Sequence, residues 1–464
     1  MAILERATYF LFVDKKLRKR LFFAALPIVI GVVLGVCALF VPLTYLLFGI
    51  GGLLFAYLVF FKIEIAIIIA LLIQNQLLRF NYLGGGTPFH PNGLMGLAII
   101  AGAIFYLMTH KIDFSRFKSM GGFLAFLGIS ILSLVNAGQY LMDGVTITLR
   151  LVTAFSIYAV LIHKLDSITK VKWVIGAIIA AQIIPTVSGL LIVVGKDGLF
   201  FTDATMRLGN SGVGVYMAIV STLCVIFFLS AKSGSSRLLW GALTALFLAG
   251  LFFSFGRSGW IGFALALMLM SMIRFKRLIF ILPLILILVV LLVPAIGQRF
   301  SDVSFSNDTT SGDSTFSQRL EYWQAALTIF RSHPVLGVGT GVGRYVVGDY
   351  RGLYPVMVHN DYVSALLETG IIGLILFLFW HYQWFVGLFK VYTRSAMGFD
   401  KTLALAVLIV LISIMVMRAT DNILLDSFDM YPICAMIAAT LAIPHIRDSE
   451  RTGEILASAA ADIH

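Results

Sequence analysis

Apolar runs of roughly 17 to 25 residues, each long enough to cross a bilayer as a helix, follow one another along almost the whole chain. They fall near 21–40, 43–61, 63–78, 93–109, 120–136, 147–163, 173–194, 211–230, 237–254, 258–273, 278–296, 362–388, 402–418 and 428–445. At that length the reading is about fourteen spans, or about twelve if the early runs and the short one at 63–78 are merged or dropped. With 60% hydrophobic and only 12% charged residues, the expected fold is an all-α polytopic membrane protein, about 12–14 transmembrane helices with a large partly helical outer loop. The three cysteines, Cys37, Cys224 and Cys434, all lie in apolar spans, which argues against a disulfide framework or a metal cluster. A basic patch (Lys15, Lys16, Arg18, Lys19, Arg20) precedes the first run with no small-residue cleavage site after it, the pattern of an uncleaved signal-anchor.

Charge then orients the bundle. With the N-terminus inside, one set of loops holds Lys62, Lys111, Arg116, Lys118, Lys164, Lys170, Lys172, Lys232, Arg237, Arg274, Lys276, Arg277, Lys390, Arg394, Lys401, Arg447 and Arg451. The opposite loops hold one lysine, Lys196. This is the positive-inside asymmetry, and a miscounted span would have scrambled it. Both termini are expected in the cytoplasm. The outer side nevertheless keeps arginines: Arg79, Arg207, Arg257, Arg418 and five between Ile296 and His359. Guanidinium forks hold phosphate bidentately and stay charged under all conditions. The competing explanation is pairing with Asp302, Asp308, Asp313, Glu321 or Asp349, or contact with lipid headgroups.

The stretch from Ile296 to His359 is the one long polar excursion. Its first part, 297–314, is rich in Ser, Thr, Asp and Asn and expected to be mobile. Thr315 with Gln318 then has the form of a capping box. Behind it Leu320, Trp323, Leu327 and Phe330 fall on one face of a helix ending near Arg331, expected on the outer surface of the bundle. Pro334 ends that helix, and the run Gly337–Gly343 follows. This run is expected to be a turn; the alternative is close backbone approach to a phosphate. No Walker loop, HExxH or serine elbow occurs, and there is no internal repeat. Gly84–Pro91 reads as a turn-rich loop in which His90 is incidental, and Asp421 and Asp426 flank the last outer turn without metal-ligand spacing.

Three constellations sit at outer helix ends: Arg207-Leu-Gly-Asn210, Phe255-Gly-Arg257-Ser-Gly-Trp260 and Val358-His359-Asn-Asp-Tyr362. A histidine can take a proton from a hydroxyl, and arginines beside it can hold a diphosphate and stabilise a departing phosphate. The structural alternative for His359 is a helix-entry residue, with Asn360 or Asp361 as the cap.

Together with Arg319 and Trp323, the Pro334-Val-Leu-Gly-Val-Gly turn and the segment His359-Asn-Asp-Tyr-Val-Ser-Ala-Leu-Leu-Glu368-Thr-Gly370-Ile-Ile-Gly373, these residues resemble the O-antigen ligase and polymerase superfamily over residues 200–390. The resemblance implies a metal-independent, cofactor-free, inverting glycosyltransferase of the C type in the bacterial inner membrane. Its active site would be periplasmic, taking a glycan from undecaprenyl diphosphate. His359 matches the family's essential histidine as general base, and Arg207 and Arg257 match its diphosphate-binding arginines. Arg319, Tyr362 and Glu368 are expected in supporting positions. The Pro-Asn that often follows the first arginine is absent here, where Gly209-Asn210 stands.

The resemblance divides the chain into a transmembrane bundle (1–296), a periplasmic catalytic loop (297–361), C-terminal spans (362–445) and a cytoplasmic tail (446–464). The arginine-plus-histidine pattern, without a duplicated arginine loop, favours a ligase with lipid A core oligosaccharide as acceptor. The alternative is an O-antigen or exopolysaccharide polymerase whose acceptor is a lipid-linked repeat unit. A lipid-glycan transporter is a third class, disfavoured because the span interiors read as almost free of charge.

Overall fold

The structure is a computed structural model and describes residues 43–77, 91–111, 119–194, 213–254, 256–279, 316–424 and 426–461. It is helical throughout, with no strand among the described residues. The chain divides at Lys62 into two units. The first contains α1 (Leu43–Phe61).

The second unit holds every other described helix. In order they are α2 (Ile63–Leu77), α3 (Pro91–Thr109), α4 (Gly121–Ser133), α5 (Leu141–Lys164), α6 (Ile168–Ala180), α7 (Ile183–Val194), α8 (Val213–Ser230), α9 (Gly234–Phe253), α10 (Arg257–Ile273), α11 (Phe316–Phe330), α12 (Gly343–Arg351), α13 (Asp361–Arg394), α14 (Phe399–Met417) and α15 (Ser427–Ala461). Eight helical stretches among the described residues are long and apolar enough to cross a membrane, and four shorter apolar helices accompany them. Each apolar run read from the sequence within the described residues has a helix, the run at 173–194 being shared by α6 and α7. The runs at 21–40 and, beyond Ile279, 278–296 lie outside the described residues, as do the stretch 297–314, Thr315, Arg79, Gly84–His90, Lys196, Arg207 and Arg299.

Short links make neighbours antiparallel, so helix ends sort into two sets. One end carries Lys111, Lys164, Lys170, Lys172, Lys232, Lys276, Lys390 and Lys401. The other carries Arg257, His359 and Arg418. The expectation that span interiors are almost uncharged needs amending, since Arg150 lies within α5 and Glu368 within α13.

α13 packs against α4 and α14, and Phe123 of α4 stacks on Trp380 of α13 with ring centroids 3.9 Å apart. α13 is not continuous. Gly370 takes φ 69° and ψ −171°, and a Cβ there would sit 2.1 Å from the Val335 carbonyl oxygen. Only glycine allows this approach. Through the break the chain from Pro334 to Gly339 pairs with α13: Ile371 N donates to Pro334 O at 2.9 Å, Val338 N to Leu367 O at 3.0 Å and Gly339 N to Glu368 O at 3.0 Å.

The glycine turn is therefore structural. Its remaining amides are also taken, with Gly341 N donating to Glu368 Oε2 at 2.7 Å, Gly343 N to Glu368 Oε1 at 3.2 Å and Thr340 N to Ser133 Oγ at 3.0 Å. The whole turn is buried. A phosphate has no free amides to approach there, so the turn reading holds and the phosphate alternative does not.

α11 forms where expected but shows a different face. Ala325 and Ala326 are buried, with Tyr322, Trp323 and Ile329 packed beside them against Val338, Val347, Val358 and Leu367. Leu327 is 42% exposed, so the inward stripe is 322/325/326/329 and not the one running through Leu320 and Leu327. Small alanines at two adjacent positions let the helix lie close, and an alternation of large residues alone did not reveal that.

Candidate active site

The site begins with a backbone anomaly. His359 has φ 53°, the one positive φ at a non-glycine position among the described residues. A left-handed residue of this kind costs about 1–3 kcal/mol and persists where its surroundings over-determine it. Those surroundings are specific. Trp323 Nε1 donates to the carbonyl of Val358 at 2.8 Å. On the other side Asn360 caps α13, its Oδ1 accepting from Tyr362 N at 3.0 Å and Val363 N at 3.1 Å. Capping is thus the work of Asn360, which frees His359 from that role.

Asp361 is fully buried and pairs with Arg418 at the end of α14, NH1 to Oδ2 at 2.5 Å. The same oxygen accepts from Ile423 N at 3.2 Å and Leu424 N at 2.8 Å, while Asp361 N donates to Arg418 O at 2.8 Å. Segment 418–424 is thereby locked beside the entry of α13. It carries Asp421.

Asp421 Oδ1 stands 3.7 Å from His359 Nδ1, and the two side chains are 11% and 20% exposed. That is beyond hydrogen-bond length but within electrostatic reach, and Nδ1 has no hydrogen-bond partner among the described residues. Catalytic contacts of this kind are commonly long without substrate. The other carboxylate oxygen accepts from Ser258 Oγ at 2.9 Å. Ser258 lies in the first turn of α10, next to Arg257, which is half-buried and makes no ion pair among the described residues.

α10 is placed by glycine contacts. A Cβ on Gly259 would meet the Gly214 carbonyl oxygen at 2.3 Å, so the first turns of α8 and α10 touch backbone to backbone. Arg207 precedes α8 and lies outside the described residues.

The supporting residues divide. Arg319 donates from NH1 to the Thr420 carbonyl at 2.8 Å, immediately before Asp421. Arg319 and Trp323 are one helical turn apart, so a single face of α11 grips the backbone ahead of Asp421 and ahead of His359. Tyr362 serves packing, its hydroxyl donating to Met415 O at 2.6 Å and tying α13 to α14. Glu368 pins the glycine turn and does not reach His359.

Of the loop arginines, Arg351 pairs with Glu321, and Arg344 lies 3.7 Å from Asp143 and over the Tyr345 ring. Structural pairing accounts for these two. At the same end, desolvation raises the Asp426 carboxyl above its ordinary range, against the Phe428 N–H that it accepts.

Asp421 and Ser258 are functional candidates that sequence reasoning did not connect to His359. The signal for Asp421 was geometric: a helix hairpin returns the residues after its second arm to the start of its first.

An all-helical, multi-span membrane protein with a histidine–aspartate pair next to the helix start that bears Arg257 is the class that these observations define. Residues 242–378, under a third of the chain, match the model of the family described as O-antigen ligase. The match contains Arg257, α11, the glycine turn, His359 and Glu368; Arg207 and Asp421 fall outside it. A protein of Rickettsia conorii, named as a proposed polysaccharide ligase, is 27% identical over 192 residues. That match covers 39% of this chain and 46% of the relative, less than half of its length.

Proposed function

We propose that the chain is a membrane glycosyltransferase of the ligase kind, moving a glycan from undecaprenyl diphosphate to the lipid A core oligosaccharide at the periplasmic face. The observation that carries this is the strained His359, backed by Asp421, with Arg257 next to the Ser258 that bonds Asp421, at the helix ends opposite the lysine-bearing set. His359 Nε2 takes the proton of the acceptor hydroxyl as that oxygen attacks the anomeric carbon. The bond from this carbon to the donor's phosphate oxygen breaks in the same displacement, and inversion follows. Undecaprenyl diphosphate departs with the bonding electrons, its new charge held by Arg257 and by Arg207 ahead of α8. Asp421 keeps the Nδ1 proton facing itself and favours the imidazolium that forms. No metal enters this scheme.

The test uses the purified full chain, a defined undecaprenyl-diphosphate glycan and two acceptors, core oligosaccharide on lipid A and a second lipid-linked unit. Transfer to the first and not the second is expected, persisting in EDTA. The reverse preference would make the chain a polymerase. His359→Asn should cost about 10²–10⁴-fold in rate, the range of a general base. Because asparagine tolerates the left-handed backbone, the variant should keep its unfolding temperature. Full activity in that variant, or strict dependence on a divalent ion, would overturn the mechanism.

A further inference from the structure

At the lysine-bearing end, α6, α8, α9, α10 and α14 converge without closing, leaving a cavity of about 620 Å³. α10, at 1.5 Å per residue, sets this cavity about 25 Å from the His359 end. Its walls are aromatic. Phe227 stacks on Trp240 at 4.7 Å and faces Phe399 at 6.0 Å between centroids.

Its rim is cationic. Lys172, Lys232 and Arg274 line it, and among the described residues no aspartate or glutamate does. Lys172 Nζ rests over the Phe399 ring at 5.1 Å, and Arg274 NH1 donates to Thr402 Oγ1 at 3.3 Å. The nearby carboxylate of Asp400 is bound to Arg447 at 2.7 Å. Three cations held together without an anion, over an apolar floor, complement a ligand that is acidic at one end and greasy at the other. Basic pockets between helices at this membrane face have that preference, and the volume is that of a ligand site.

We propose that this cavity binds an anionic phospholipid of the leaflet opposite His359. The phosphate sits among Lys172, Lys232, Arg274 and the hydroxyls of Ser230, Ser236 and Thr402, and the glycerol and upper acyl chain lie against Phe227 and Trp240. The lipid joins the ends of α8, α10 and α14, three helices whose other ends build the site. It therefore stabilises the folded bundle in proportion to its affinity. A free phosphate would use the rim but not the aromatic floor.

The full chain, purified and delipidated in neutral detergent, is titrated with phosphatidylglycerol, phosphatidylcholine and inorganic phosphate. Bound lipid is read by native mass spectrometry and stability by thermal unfolding. Phosphatidylglycerol should bind and raise the unfolding temperature at concentrations where the other two do neither. Lys172 and Lys232 are exposed, so Lys172→Gln and Lys232→Gln leave folding intact. Each should weaken phosphatidylglycerol about fivefold, the worth of one cation at a membrane surface. Lys111→Gln, on the same face but away from the cavity, should have no effect. Equal binding of the two phospholipids, displacement by inorganic phosphate, or an equal loss in Lys111→Gln would each overturn the proposal.

Discussion

Two acid–base pairs join the same two segments of this protein, and they differ in almost every respect. Asp361 and Arg418 are both fully buried, in direct contact, and share their groups with the backbone N–H of Ile423 and Leu424. His359 and Asp421 stand 3.7 Å apart, partly open to solvent, with Nδ1 facing the carboxylate and unbonded. A buried pair in direct contact, with one carboxylate oxygen also held by two backbone N–H groups, fixes structure. A neighbouring pair left short of contact can change protonation and geometry when a substrate arrives. The first pair makes the second possible, because it holds segment 418–424 against the entry of α13.

The comparison breaks most visibly at the buried pair. Arg418→Met would leave the Asp361 charge buried without its partner, at a cost of about 3–5 kcal/mol. That exceeds a large share of a typical folding free energy, so the variant should be lost from the membrane fraction or unfold far below the parent. Replacing both partners, Asp361→Leu with Arg418→Met, should recover much of the stability yet little transfer, since the loop bearing Asp421 loses its anchor. Thermal unfolding and transfer rate measured on the same preparations separate these effects. Recovery of full activity in the double variant would show that the buried pair does not position Asp421.

Asp421→Asn is the next largest and tests the open pair. It keeps an acceptor toward Nδ1, and its NH2 can donate to Ser258 Oγ where the carboxylate accepted from it, but it removes the charge that favours the imidazolium. The rate should fall by less than the about 10⁴-fold lost when a fully hydrogen-bonded aspartate behind a catalytic histidine is neutralised. Unfolding temperature should not move. A drop in stability with unchanged rate would make Asp421 a loop-fixing residue and leave His359 without a partner.

The sequence carried some of this arrangement and hid the rest for identifiable reasons. Span periodicity is local, so the helices were legible run by run, and so was a cap at Asn360 or Asp361, of which the structure has Asn360. Arg319 and Trp323 could be placed on one helix from their spacing alone. What they hold could not, because both bond to backbone carbonyls, Thr420 O and Val358 O, that no side-chain pattern marks. Asp421 joins His359 only through the α13–α14 hairpin, across the length of both helices. The resemblance gives Glu368 a supporting position without saying what it supports; its partners are the backbone N–H groups of Gly341 and Gly343, which no side-chain pattern marks. The inward face of α11 is not legible from its large residues because its packing rests on Ala325 and Ala326, too small to stand out in a hydrophobic stripe.

The smallest effect sharpens the comparison furthest. Trp323→Phe keeps a ring in the cluster with Ala326 and Val347 and deletes only the indole N–H that donates to Val358 O. A lost hydrogen bond of this kind costs about 0.5–1.5 kcal/mol of stability. The released carbonyl precedes a residue held at φ 53°, and relaxing that turn swings the imidazole away from Asp421. Transfer should therefore fall severalfold in kcat with donor KM unchanged, because Arg257 belongs to α10 and is untouched. Arg319→Gln loosens the same pair from the Asp421 side, through Thr420, so the two substitutions together should cost less than the product of their separate effects. If Trp323→Phe lowered stability and left kcat intact, the face of α11 would serve packing alone, and the left-handed turn at His359 would need some other restraint to explain it.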